Sequence, residues 1–153
     1  MTAATIEQAR PTARLLARAI GIASIGSALA TSVIAFVAHA AGVSDDFDPI
    51  APSAYLTLAV IGVGLASLSW FAIARRTANP RTILTRLVPA VVLISFVPDL
   101  LLGVSQSEPG TTWGAVAWLM LMHLAVAAIT VPTLARVIPV RDAIDPPATR
   151  TDE

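Results

Sequence analysis

Between Arg18 and Asp45 the chain carries no formally charged side chain, and three later stretches repeat the pattern, broken only by Asp99. A helix crossing a bilayer needs roughly 20 predominantly apolar residues. Lipid offers peptide groups no hydrogen-bond partner, so each span must satisfy its own backbone. We therefore expect an all-α integral membrane bundle of four antiparallel transmembrane helices, spanning about residues 15–42, 53–74, 84–104 and 112–135 within a membrane domain of residues 14–138. The connections GVSDDFDPIAP, RRTANPRT and SQSEPGT are short and rich in Pro, Gly and small polar residues, which makes sequential helices antiparallel neighbours. Residues 1–13 are expected to form a cytoplasmic lead-in, and the polar stretch 139–153, with its Pro-Pro pair, a disordered cytoplasmic tail. Composition agrees: 56% of residues are apolar, 13% are charged, and mean hydropathy is +0.76.

Arginine sets the orientation. All ten basic residues are arginine. Arg10, Arg14 and Arg18 precede the first span, Arg75, Arg76, Arg81 and Arg86 lie between the second and third, and Arg136, Arg141 and Arg150 follow the fourth. The other two connections carry only acids: Asp45, Asp46 and Asp48 in one, Glu108 in the other. The positive-inside rule then places both termini in the cytoplasm. Tyr55 and Trp113 are expected at the outer interface and Trp70 near the inner one. The arginines at 75–86 serve equally as an orientation signal or as a contact for anionic lipid heads. Ala38-His39-Ala40 has the form of a signal-peptidase site, but the apolar run 19–37 exceeds a signal peptide's core, so the segment is expected to be retained. The lysine-free, alanine-rich composition suggests a GC-rich coding sequence and a bacterial plasma membrane.

Within lipid, helices associate chiefly by close packing at small residues. Ala19, Ala23, Ser27, Thr31, Ala35 and His39 recur at every fourth position of the first span, and Ala59, Gly62, Ala66 and Ser69 form a comparable stripe in the second. Bundle packing explains both; a homo-oligomer face is the alternative. Pro98 and Pro132 each free a backbone carbonyl inside a span, whereas Pro89 falls in the first turns of the third helix if that helix begins late, near Leu87 rather than Thr82.

Asp99 is the residue that needs a reason. A charge near the bilayer centre costs between about 2.5 kcal/mol and several times that, depending on the scale. By helical rise His39 lies level with Asp99, His123 lies deeper, and Ser95 is one turn inward on the same face. These four residues form a candidate intramembrane polar site. An aspartate against a histidine in low dielectric favours an ion pair or a shared proton. The leading reading is an interhelical clamp; the second is a proton- or cation-linked site open to the outside. No catalytic residue, metal site or cofactor is predicted. Cysteine is absent, two histidines and an aspartate match no metal spacing, and no GxSxG, HExxH, Walker or GxGxxG motif occurs. The glycines of IGVGLAS sit mid-span, and the acidic loop SDDFDP reads as a solvated outer connection.

With a VPD triplet at 97–99 and the lone histidine of MLMHLAVAA at 120–128, the chain from Arg14 to Arg136 resembles uncharacterised four-helix membrane proteins of actinobacteria. The resemblance implies the fold and a plasma-membrane location, and brings no activity, substrate or cofactor. The expected function is that of a non-enzymatic multi-pass protein, an accessory subunit of an envelope complex. A small transporter using the Asp-His pair is the alternative, and a membrane-embedded enzyme acting on a lipid or quinone a weaker one. Expected partners are the bilayer and a second copy or another membrane protein; with zero net charge, no nucleic acid is expected.

Overall fold

The computed structural model describes residues 12–140 and 142. The lead-in up to residue 11 and most of the expected tail lie outside the described residues. The fold is all-helical: α1 covers Ala13–Ala40, α2 Pro52–Arg76, α3 Pro80–Ser105 and α4 Trp113–Val137, with a single 3-10 turn at Asp48–Ile50 before α2. All four helices are long and apolar enough to cross a membrane. Large side chains such as Ile25, Leu29, Phe36, Leu65, Leu93 and Leu101 lie exposed on the outside of the bundle, as a lipid-facing surface requires.

The helices α1 and α4 pack most extensively, α2 lies against α1, α3 leans mainly on α4, and α2 and α3 meet little. Two apolar clusters close the bundle at its ends. One joins Ala35, Ala38, Tyr55, Ala115, Leu119 and Met122 to Phe47 and Ile50 of the first connection. The other joins Ala19, Trp70, Leu84, Leu134 and Ile138. We refer to these as the acidic end and the arginine end, after the charges on the adjoining connections.

On α1 the small residues Ala19, Ala23, Ser27, Thr31 and Ala35 are all buried. Their size lets the helices approach closely: a Cβ added at Gly26 would stand 2.9 Å from Cγ2 of Ile129 on α4. The second helix departs from expectation. It buries Tyr55, Ala59, Val63, Ser67 and Trp70, while Gly62, Ala66 and Ser69 face outward. The aromatic residues set this register because their polar tips find internal partners. The Tyr55 hydroxyl donates to Ser32 Oγ at 3.2 Å, and Trp70 Nε1 donates to the Ile138 carbonyl at 3.0 Å. Both rings are therefore turned into the bundle, whereas Trp113 is exposed.

Two further expectations are corrected by how α3 begins. Pro80 opens the helix, so Pro89 lies in its interior rather than in its first turns. The Asn79 side chain makes no capping hydrogen bond. Instead Asp142, from the segment expected to be disordered, reaches back and is buried. Its Oδ1 accepts from the Arg81 N–H at 2.9 Å, and its Oδ2 accepts from the Thr82 N–H at 3.2 Å and from Thr82 Oγ1 at 2.6 Å. A carboxylate at a helix N-terminus satisfies orphan donors and complements the dipole there. That carboxyl consequently sits below its ordinary value of 3.8, chiefly through the Thr82 hydroxyl, with burial opposing, the two backbone N–H groups helping and the Arg81 charge adding to them.

The first connection is likewise more than a solvated acidic loop. Asp45, Asp46 and Asp48 are exposed, but Phe47 and Ile50 between and after them are fully buried and plug the acidic end.

Candidate functional site

Asp99 is one of only four residues that α3 buries, together with Pro80, Leu84 and Gly103. It is 7% exposed and faces α4. There Nδ1 of His123 approaches its Oδ2 to 3.0 Å. The same nitrogen lies 3.0 Å from the carbonyl of Leu119, one turn earlier on α4. One ring nitrogen thus stands between two acceptors, and a single hydrogen on it cannot point at both. Both acceptors lie at hydrogen-bond distance from the nitrogen, and Asp99 Oδ2 is buried with no other partner among the described residues. The ring of Phe96 meets the imidazole edge to face, 6.3 Å between centroids.

One turn beyond Asp99, toward the acidic end, Gly103 is buried under Trp113. A Cβ at this position would lie 2.7 Å from the indole ring, so glycine lets the ring rest directly on α3. The Asp99–His123 pair and this contact together hold the later half of α3 against α4.

The other two residues of the expected constellation lie apart. His39 turns its Nδ1 to the Ala35 carbonyl at 2.8 Å and its Nε2 toward exposed Asp45 at 3.4 Å. No hydrogen bond or ion pair joins it to Asp99, which follows from α3 leaning on α4 while α1 occupies another side of α4. Ser95 donates back to the Val92 carbonyl of its own helix at 2.7 Å. Such back-bonding satisfies a hydroxyl locally and removes it from any interhelical network. Thr130, further along α4, is buried with its hydroxyl unpartnered, as are Ser27 and Ser67. Among the described residues no group of three His, Asp or Glu is arranged to hold a metal ion.

A cleft of about 400 Å³ lies at the arginine end, and neither Asp99 nor His123 lines it. The Asp99–His123 pair and this cleft are therefore separate features. Two residues that matter here carry no local signal in the sequence: Asp142 sits in a polar stretch without periodicity, and Phe47 is flanked by acids. Trp70, by contrast, is visible as an aromatic near a span end, but its inward direction is not.

No curated protein and no solved structure matches the chain. A family model matches residues 11–139, nearly the whole helical body, and its description is a family of unknown function. The chain belongs to that family, DUF6069.

Proposed function

We propose that this chain is a non-enzymatic integral membrane protein of a bacterial plasma membrane, with four antiparallel spans and both termini in the cytoplasm. Its Asp99–His123 pair acts as an interhelical clamp, and the protein serves as an accessory subunit of an envelope complex. Antiparallel spans are supported by the two end clusters, each of which draws on opposite ends of successive helices. The arginine end faces the cytoplasm because basic connections are retained there. A membrane partner or second copy is supported by the outward face of Gly62, Ala66 and Ser69, small residues of the kind that let another helix approach.

The observation that carries the clamp is the poverty of other contacts on α3. Only 11% of its most apolar window is buried, against 22–28% for the other helices. Apolar contact with a neighbour gains little over apolar contact with lipid, so a polar pair has a larger relative effect on where such a helix docks. One specific observation favours a second reading, a proton- or cation-coupled transporter: the buried Asp99 carboxylate meets a ring nitrogen of the part-exposed His123 at 3.0 Å, a contact able to share a proton.

A double-mutant cycle with Asp99→Asn and His123→Ala, read by thermal melting in detergent alongside pH-driven flux in liposomes, separates the two. The clamp predicts that each variant melts earlier, with a coupling of about 1–2 kcal/mol between the two sites, the upper range for polar contacts between membrane helices. Flux across liposomes is unchanged. Normal melting together with abolished flux would replace the clamp by transport.

A further inference from the structure

The cleft at the arginine end has the shape and charge of a lipid site. Its walls come from three helices: Trp70 on α2, Leu84 and Val88 on α3, and Val131 on α4. Of these helices α2 and α3 meet little, and the cleft lies beside the cluster in which Trp70 and Leu84 take part. At about 400 Å³ it falls within the range of roughly 300–1,000 Å³ typical of ligand pockets. Its lining is apolar along the helices and polar at the rim, where Arg81 and Thr85 stand. Arg75, Arg76, Arg86 and Arg136 occupy the same end, and among the described residues Asp142 is the only acid there. Arg81 is already drawn toward Asp142, so a ligand anion would join that carboxylate within a belt of excess positive charge.

We propose that this cleft binds an anionic phospholipid, with the headgroup phosphate at Arg81 and one acyl chain lying along Leu84, Val88 and Val131 over Trp70. The proposal rests on the reading of the chain as membrane-spanning and adds to it a specific lipid. The geometry matches an amphiphile entering from the bilayer. Leu84 and Val88 lie successively deeper than Arg81, by roughly 5 and 10 Å at the helical rise. A charged head at the interface and a chain running inward along a helix is the disposition these residues accept. Basic pockets between helices are a recurrent means of holding anionic headgroups.

The experiment uses Trp70 as the reporter. The full chain carrying Trp113→Phe and Trp118→Phe is reconstituted into phosphatidylcholine vesicles that contain a small, equal fraction of either dibrominated phosphatidylglycerol or dibrominated phosphatidylcholine. Bromines quench tryptophan at contact. The brominated phosphatidylglycerol is expected to quench Trp70 with a preference of about fivefold, as one favourable arginine contact provides. Arg81→Gln and the cleft-filling Ala135→Phe, both at exposed positions, should each bring the preference close to one. Equal quenching by the two lipids would overturn the proposal, as would a preference that survives Arg81→Gln. Relief of the preference by inorganic phosphate would assign the cleft to free anions instead. A companion protein retaining only Trp113 distinguishes the failures. Quenching of Trp113 by both lipids with no preference at Trp70 rejects the cleft alone, whereas no quenching of Trp113 rejects the membrane-spanning reading with it.

Discussion

Two aspartates fasten α3, and only one of them announces itself. Asp99 stands out in the sequence because a carboxylate in an apolar run is costly and demands a partner. Asp142 has no such prominence: it caps a helix that starts about sixty positions earlier in the chain, and no local pattern records a contact made across that separation. Its carboxyl is held below the ordinary value of 3.8, first by the Thr82 hydroxyl, against burial, with help from the two backbone N–H groups and the Arg81 charge. A group whose folded value is depressed stabilises the fold above its unfolded value and loses that contribution as pH falls through the folded one. Asp142→Ala is therefore expected to melt earlier than the parent at neutral pH, with the gap closing once pH drops below 3.8. Parallel melts of the two proteins across that range test this, and a gap independent of pH would remove the carboxylate's charge from the explanation. The sequence singles out Asp99 and His123, and the structure brings these two side chains to 3.0 Å. His39 and Ser95 fall away because each finds a carbonyl one turn back on its own helix, a partner that depth alone cannot reveal.

At the scale of the helix, α1 was legible and α2 was not. In α1 the small residues recur every fourth position and the large ones take the remaining sides, so packing and sequence periodicity coincide. In α2 small and large residues alternate around the helix, and in lipid an apolar side chain is equally at home facing in or out. Hydropathy then says nothing about register; the hydrogen-bonding tips of Tyr55 and Trp70 decide it. The close approach of α1 to α4 at Gly26 can be tested directly. Gly26→Ala sets a methyl against the β-branched Ile129, which has little freedom to yield, and should cost about 1–3 kcal/mol in a thermal or denaturant melt. The loop before α2 offers the complementary test of a plug. Phe47 is fully buried at the acidic end, and Phe47→Ala is expected to cost about 3 kcal/mol, whereas neutralising its exposed neighbour with Asp46→Asn should leave the melt nearly unchanged. Equal effects of the two would return the loop to a solvated connection.

Taken as a whole, the molecule is built around α1, which packs against α4 and α2, while α3 leans on α4. Charge is sorted along the same axis, with arginines at one end and Asp45, Asp46, Asp48 and Glu108 at the other. This sorting was legible because it is a property of the connections, which the sequence displays without reference to packing. The sparse contact between α2 and α3 was not legible, since hydropathy does not say which helices pack together. The central claim is that the chain crosses a bacterial membrane four times with its arginine end inside, and the absence of native cysteine makes it directly testable. Single cysteines introduced as Ala41→Cys, Ala78→Cys and Ser107→Cys, all at exposed positions, can be labelled with a membrane-impermeant maleimide on intact cells. The account predicts labelling at positions 41 and 107 from outside, and at 78 only after permeabilisation. Labelling of position 78 on intact cells, or of all three alike, would contradict it.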